Sequence, residues 1–157
     1  MSEQVQEGQA APDFTLPVTA EKQVTLSQFR GKKVVLYFYS KDNTAGCTDE
    51  ARGFREASED ITAAGAVILG VSKDSLATHE KFSTKHELPF LLLSDIDQAI
   101  SQLYGVFKEK NMYGKKVMGI ERSTFIINEQ GEIIRIFRKV KVAGHAQAVL
   151  AVLKKST

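Results

Sequence analysis

The 157-residue chain contains a single cysteine, Cys47, and its neighbours are of the types that activate a thiol. Cys47 follows the polar residues 40–46 and precedes apolar residues at helical spacing, which predicts a thiol at or just inside the start of a helix. Free backbone N–H groups and the helix dipole favour thiolate there, and thiolate is the reactive form of cysteine. Gly46 permits close backbone approach, and Thr44 offers a hydroxyl beside the sulfur.

A lone cysteine in an intracellular protein is more often a small buried residue without chemistry. The neighbours of Cys47 argue against that interpretation, because Lys41, Asp42 and Asn43 belong to a polar loop rather than to an apolar stripe. The count of one also excludes an intramolecular disulfide and a cysteine-rich zinc site. The chemistry to expect is therefore that of one reactive thiol.

The elements that position this thiol are those of an α/β fold. Strands are predicted at residues 34–39, 67–72, 91–93, 124–128 and 133–137, with short β segments at 13–16 and 23–26. Helices are predicted from Cys47 to Gly65 and at residues 75–86, 97–104 and 145–155. This order describes a mixed sheet with helices on both faces, in thioredoxin-like order, although the pattern alone fits several α/β folds. No repeat or linker divides the chain, so residues 1–157 are expected to form one domain.

Composition excludes several other function classes. The 21 basic and 19 acidic residues give a net charge of +2, which is too small and dispersed to indicate nucleic acid or a membrane surface. No apolar run reaches the roughly 18 residues of a membrane span, and the polar start lacks a signal core, which indicates a cytoplasmic protein. Four lysines surround Met112 and Tyr113 and are interpreted as a solvated loop rather than an RNA surface: Lys108, Lys110, Lys115 and Lys116.

The three histidines do not indicate a metal site. His79, His86 and His145 lack compact ligand spacing, and the sequence favours solvated polar residues at all three positions. No Gly-rich phosphate loop and no GxSxG elbow is present. We therefore expect no metal, haem or flavin cofactor.

Several segments resemble those of a known family. The segment around the cysteine, YFYSKDNTAGCTDEARGF, resembles the active-site segment of the peroxiredoxins, specifically the bacterioferritin comigratory protein (PrxQ) group. The likeness extends over nearly the whole chain, through APDFTLP, GVSKDS, LLSD, KEKNMYGKKVMGIERSTFIIN and RKVKVAGHAQAVLAVLKK. So many ordered segments are far more specific than one short motif. The resemblance implies a thioredoxin-like fold and reduction of hydrogen peroxide and organic hydroperoxides.

The resemblance also implies roles for four residues. Cys47 matches the peroxidatic cysteine, which attacks a peroxide oxygen and becomes a sulfenic acid. Thr44 matches the active-site threonine, and Arg122 matches the arginine that lies against the sulfur. Glu50 matches the position that orients this arginine. From the residues alone, Arg122 fits a surface residue at a strand end equally well. Glu50 likewise fits a charged residue in the first turn of a helix.

The chain departs from the family pattern at its prolines and at its second cysteine. Ser40 and Ala45 stand where the family has proline, and the first proline normally shields the cysteine pocket and fixes the loop. The resolving cysteine of some members falls at Arg52 and that of others at Ser83, so neither position can form a disulfide here. The resemblance thus implies a one-cysteine cycle, in which glutathione, a glutaredoxin, thioredoxin or a second chain restores Cys47.

The resemblance to this group also implies that the chain is a monomer or a weak homodimer. An alternative function, favoured by the missing prolines and resolving cysteine, is a thioredoxin-fold redox sensor or binding protein that becomes oxidised and turns over poorly.

Overall fold

Strands and helices alternate along the chain in the computed structural model, which describes residues 5–155. The strands are β1 (Thr15–Pro17), β2 (Gln23–Thr25), β3 (Lys33–Phe38), β4 (Ala66–Ser72), β5 (Leu91–Ser94), β6 (Phe107–Met112), β7 (Lys115–Ile120), β8 (Ser123–Ile127) and β9 (Ile133–Phe137). The helices are α1 (Ala45–Ala63), α2 (Leu76–Lys85), α3 (Ala99–Leu103) and α4 (His145–Lys155), and a short 3-10 helix covers Leu26–Phe29. Residues 1–4 and 156–157 of the expected single domain lie outside the described residues.

Five strands form the central sheet in the order β5-β4-β3-β8-β9. β3, β4 and β5 are parallel, whereas β8 and β9 are antiparallel to their neighbours. Parallel neighbours need crossover connections, and α1 and α2 supply them. The carboxyl ends of the parallel strands share one edge of the sheet, so the loop before Cys47 meets the loops that follow β4 and β5. The predicted α/β fold with a mixed sheet is confirmed.

The side chains of β3 alternate between two hydrophobic cores, one on each face of the sheet. Val35 and Tyr37 pack into the core shared with α1 and α4, whereas Val34 and Leu36 face the β1–β2 hairpin. This alternation follows from the two-residue period of a strand. Because the apolar stripe of α1 is buried against the sheet, its first turn is held in a fixed position at the sheet edge.

The boundaries of most elements agree closely with those predicted from the sequence. β9 and α4 span the predicted residues 133–137 and 145–155. α3 is shorter than predicted, because Gln98 has a left-handed conformation with φ of 59° and lies outside the helix. Within the described part of the chain, no helix is both long and apolar enough to span a membrane.

The lysine-rich segment predicted as a solvated loop is instead the antiparallel hairpin β6–β7. Its turn residues Tyr113 and Gly114 have positive φ values of 54° and 78°, the combination that lets a two-residue turn match the strand twist. The loop prediction was wrong because β7 is mostly exposed and lacks the apolar alternation that identifies a half-buried strand. The expected solvation itself is found, since Tyr113 is 99% exposed.

Candidate active site

Cys47 lies in the first turn of α1, directly beyond the carboxyl end of β3. Thr44 is the N-cap residue and has an extended backbone, so α1 begins at Ala45. The backbone N–H groups of a first helical turn have no intrahelical acceptor, and they make this position favourable for a thiolate. The Cys47 side chain is nearly closed to solvent, with the residue 1% exposed.

Arg122 lies between β7 and β8 and joins Cys47 to Glu50. Its Nη2 donates to Cys47 Sγ at 3.3 Å, and its Nη1 donates to Glu50 Oε1 at 2.6 Å. Cys47 and Glu50 are three residues apart and therefore lie on the same face of α1. Glu50 is almost fully buried, whereas the Arg122 side chain is 20% exposed. One planar guanidinium thus holds the sulfur on one side and a carboxylate on the other.

Gly46 allows Arg122 to come this close to the helix. A Cβ atom at position 46 would lie 3.1 Å from Arg122 Nη2, which is closer than side chains normally approach. With a larger residue here, the guanidinium that contacts the sulfur would have to shift by a few tenths of an ångström. The sequence predicted a close approach at Gly46, and the structure identifies Arg122 as the group that approaches.

Thr44 and Ser40 place two hydroxyl groups near the sulfur. Ser40 Oγ lies 3.9 Å from Cys47 Sγ. Thr44 Oγ1 donates to the Lys41 carbonyl at 3.0 Å and is also positioned to hydrogen-bond Cys47. A hydroxyl has one hydrogen, so Thr44 donates either to the carbonyl or to the thiolate. The Thr44 hydroxyl can therefore rotate from the Lys41 carbonyl to the sulfur when the thiol loses its proton.

The surroundings of Cys47 favour its ionised form. Burial alone raises the pKa of the thiol, but the Thr44 hydroxyl, the Lys41 backbone and the Arg122 cation together outweigh burial, and the pKa is lowered. Burial also opposes the charge on Arg122, yet Glu50 and Cys47 more than compensate and raise its pKa. Arg122 therefore stays positively charged beside a thiol whose pKa is lowered.

Glu50 has a different balance. Burial raises the pKa of its carboxyl group to about 7, although Arg122 acts in the opposite direction. Its Oε2 has no hydrogen-bond partner among the described residues. A carboxyl group with a pKa near 7 is present in both protonation states at neutral pH.

The two positions at which other members carry a resolving cysteine are both away from Cys47. Arg52 is exposed on α1. Ser83 lies on α2 and lines a separate groove with Leu76 and Phe90. The structure therefore brings Cys47, Thr44, Arg122, Glu50, Ser40 and Gly46 together, and it leaves Arg52 and Ser83 outside the cluster.

A buried polar network beneath the loop at residues 40–44 was missed by the sequence analysis. Asp42 Oδ2 lies 2.6 Å from His79 Nδ1, and Asp42 Oδ1 accepts from the Tyr39 hydroxyl at 2.6 Å. His79 Nε2 lies 3.1 Å from the Leu93 carbonyl. A carbonyl only accepts, so Nε2 is the donor in this contact. The contact between Asp42 and His79 ties the loop to α2.

The solvated role predicted for the histidines is wrong for His79 and His145. His79 is 2% exposed and His145 is 6% exposed. His145 Nε2 lies 2.7 Å from Thr124 Oγ1, and burial together with the Arg122 charge lowers the pKa of its ring to about 4. The hydrogen-bond partners of both imidazole rings lie 14 residues or more away along the chain. No local spacing in the sequence therefore indicates that these histidines are buried and hydrogen-bonded.

The same network brings together three metal-binding residue types. Ligand atoms of Asp42, Asp74 and His79 lie within 4.8 Å of one another. Asp74 Oδ2, however, already accepts from Asp42 N and from the Ser72 hydroxyl, at 2.7 and 2.6 Å. Both His79 nitrogens are engaged as well. Hydrogen bonds to one another and to neighbouring protein groups therefore account for the positions of Asp42, Asp74 and His79.

Comparison with known proteins identifies what the chain is similar to. Residues 7–136 match the AhpC/TSA family. Peroxiredoxin Bcp of Bacillus subtilis is 49% identical over 147 residues, which cover 94% of each chain. A structure of the Xanthomonas campestris bacterioferritin comigratory protein, described for its alkyl peroxide reduction activity, has a TM-score of 0.87 and 48% identity, covering 91% of each chain. A cysteine mutant of Xylella fastidiosa PrxQ has a TM-score of 0.92 and 37% identity, covering 98% of each chain. The thioredoxin-like fold implied by the resemblance is confirmed.

The contact between Arg122 and the sulfur predicts how the thiol titrates. In Arg122→Met, the pH midpoint for alkylation of Cys47 by iodoacetamide should rise by about one unit or more, because the cation that favours thiolate is gone. Arg52→Met removes an exposed charge from the same helix and should shift the midpoint by less than about 0.3 units. Equal midpoints in Arg122→Met and the unaltered protein would contradict a role of Arg122 in ionising Cys47.

The Asp42–His79 pair predicts a large effect on stability. In His79→Ala, the buried Asp42 carboxylate loses its partner, and the free energy of unfolding in urea should fall by about 3 kcal/mol. His86→Ala is the matched control, since His86 is partly exposed at the end of the same helix, and its cost should stay below about 1 kcal/mol. Similar losses in the two variants would show that the pair does not anchor the loop.

Proposed function

The chain belongs to the AhpC/TSA family, within the Bcp group of peroxiredoxins, and we propose that Cys47 is the residue at which it reduces peroxides. The protein is a thiol peroxidase. The observation that carries the assignment to Cys47 is its contact with Arg122, at 3.3 Å, in the first turn of α1. That contact gives the only cysteine of the chain a fixed cation, and the Thr44 hydroxyl, the Lys41 backbone and Arg122 together lower its pKa.

The first step is nucleophilic attack by the Cys47 thiolate on the terminal peroxide oxygen. An S–O bond forms while the O–O bond breaks, so the sulfur is oxidised to a sulfenic acid and the peroxide is reduced. The leaving alkoxide or hydroxide takes up a proton and departs as alcohol or water. The helix N-terminus and the Thr44 hydroxyl favour the thiolate before the step.

Arg122 and Thr44 act on the charge that moves during this step. Arg122 stays positive and faces the sulfur, so it stabilises negative charge that passes from sulfur to the leaving oxygen. Thr44 supplies a hydroxyl that can hydrogen-bond the thiolate or a bound oxygen. Glu50 is a positioning residue, because its 2.6 Å hydrogen bond fixes the direction of the guanidinium. Gly46 leaves space for that guanidinium.

The second half of the cycle requires a thiol from outside the chain. A thiol attacks sulfenic Cys47 and releases water, and a second thiol then releases Cys47 from the mixed disulfide. Because the chain has one cysteine, it cannot form an internal disulfide. We propose glutathione, a glutaredoxin or thioredoxin as the reductant.

We further propose that residues 1–157 act as one domain, as a monomer or weak homodimer in the cytoplasm. The family match over residues 7–136 supports one domain. The burial of Cys47 supports a site that works within one chain.

The one-cysteine cycle predicts which substitutions stop turnover. Steady-state peroxide consumption with a thiol reductant should vanish in Cys47→Ser, because the nucleophile is lost. Ser83→Ala alters the former resolving position without touching the cluster and should keep turnover within about twofold. Turnover in Cys47→Ser would refute the assignment. A burst of one equivalent without further consumption in the unaltered protein would instead favour a redox sensor.

Replacing Ser40 with proline is predicted to increase the rate of reaction with peroxide. Ser40→Pro should raise the second-order rate with hydrogen peroxide by about twofold or more, because proline restricts the loop and removes a hydroxyl 3.9 Å from the sulfur. Ala45→Pro is the control, since residue 45 is the first helical position, where proline is tolerated, and it should change stability more than rate. Unchanged stopped-flow rates in Ser40→Pro would count against this role of the loop.

A further inference from the structure

An open groove with a basic lining adjoins the cluster around Cys47. It lies between the β6–β7 hairpin and the segment that follows β9, and its volume is about 580 Å³. We call it the basic groove. The residues of interest in its lining are Lys108, Lys110, Glu121, Arg122, Lys139 and Val140. This volume lies in the range of clefts that bind small molecules.

Three cations of the basic groove have no anionic partner. Glu109, also in its lining, forms an ion pair with Lys116 at 3.7 Å. Among the described residues, Lys108, Lys110 and Lys139 form no ion pair within 4.0 Å, and Glu121 is the one remaining acid of the lining. Lys108 and Lys110 are also partly buried. The basic groove therefore has a surplus of positive charge that suits an anionic ligand.

The Lys110 side chain is directed toward the base of the hairpin. Lys110 pairs with Val117 in the strand register, yet its chain lies across Gly119, with Nζ 3.8 Å from where a Cβ of Gly119 would be. Gly119 is two residues nearer to Arg122 than Val117 is. The ammonium group thus leans toward the reactive end of the groove, over a position where glycine leaves room.

Arg122 belongs both to the basic groove and to the reactive cluster. It lines the groove while its Nη2 contacts Cys47 Sγ at 3.3 Å. Its carbonyl accepts from Val140 N at 3.0 Å, which ties the opposite wall to the same residue. A molecule held in the groove therefore lies beside the guanidinium that faces the sulfur.

We propose that the basic groove binds the carboxylate groups of a small thiol that reduces sulfenic Cys47. The proposal rests on the proposed function, because it presupposes a sulfenic acid at Cys47. The thiolate attacks sulfur, an S–S bond forms, and the S–O bond breaks as hydroxide takes up a proton and leaves as water. A second thiol attacks the mixed disulfide, so two thiols are oxidised to a disulfide and Cys47 returns as thiolate.

The burial of Cys47 favours a small thiol over direct pairing of two chains. A disulfide requires two sulfurs about 2.05 Å apart, and two Cys47 residues that are each 1% exposed cannot meet unless the site opens. A small thiol brings far less bulk to the sulfur than a second folded chain does, and Arg122, which contacts Cys47 Sγ, lines the groove. Hydrogen peroxide is uncharged, so it gives the lysines of the groove no partner.

The test compares thiols of different charge on sulfenic Cys47 formed beforehand with hydrogen peroxide. The probes are glutathione, which carries two carboxylates, and neutral 2-mercaptoethanol, and mixed disulfide formation is followed by intact-protein mass spectrometry. The variant is K108Q/K110Q. The matched control is K81Q/K85Q, which removes the same charge from two exposed positions of α2, away from the groove. Using the ratio of the two thiol rates within each protein cancels differences in sulfenic acid yield.

We expect the glutathione to 2-mercaptoethanol rate ratio to fall about fivefold in K108Q/K110Q and to stay within about twofold in K81Q/K85Q. High salt should lower the ratio in the unaltered protein. An unchanged ratio in K108Q/K110Q, or equal losses in the two variants, overturns the proposal. Slower sulfenic acid formation with a carboxylate-bearing hydroperoxide, without a change in the thiol ratio, also overturns it and assigns the groove to the peroxide step.

The same measurement separates this proposal from the proposed function. Sulfenic acid at Cys47 is trapped with dimedone before any thiol is added. If no adduct forms, the peroxidase assignment fails, and the groove proposal fails with it. If the adduct forms and the thiol ratio does not respond to K108Q/K110Q, only the groove proposal fails.

Discussion

The reactive centre depends on one guanidinium, that of Arg122, held between a buried carboxyl group and a buried sulfur. Its bonds to Glu50 and Cys47 span 72 and 75 residues of sequence and tie the start of β8 to the first turn of α1. Burial alone raises the pKa of the thiol, and the Thr44 hydroxyl, the Lys41 backbone and the Arg122 cation lower it. Glycine at position 46 leaves the space for the close approach of Arg122.

The loop that carries Thr44 is positioned by polar contacts where the family pattern has proline. Proline restricts the backbone of the free chain itself, whereas this chain anchors residues 40–44 through Asp42, which binds His79 and Tyr39. Such a buried pair is stable only while both partners are present. The geometry of the loop therefore depends on α2, although no residue of α2 belongs to the reactive cluster.

Prediction from sequence succeeded where local patterns carry the information. Val34 to Phe38 form a continuous β-branched and aromatic run, and α4 has an apolar side at helical spacing, so both were located closely. The β6–β7 hairpin was missed because main-chain pairing and the positive φ at Tyr113 and Gly114 define it, with little apolar alternation. His79 was misjudged because its acceptors come from distant parts of the chain.

The sequence by itself determined the candidate nucleophile, the α/β order and the absence of a second cysteine, because these depend on residue type and local spacing. Its likeness to peroxiredoxins implied that Arg122 lies against the sulfur and that Glu50 orients it, but gave no distances. Only the tertiary structure placed Arg122 at hydrogen-bond distance from both Cys47 and Glu50, Asp42 against His79 in the interior, and lysines of the hairpin beside the site. Each of these facts is a distance between residues far apart in the chain, and such distances are set by how the sheet and helices pack.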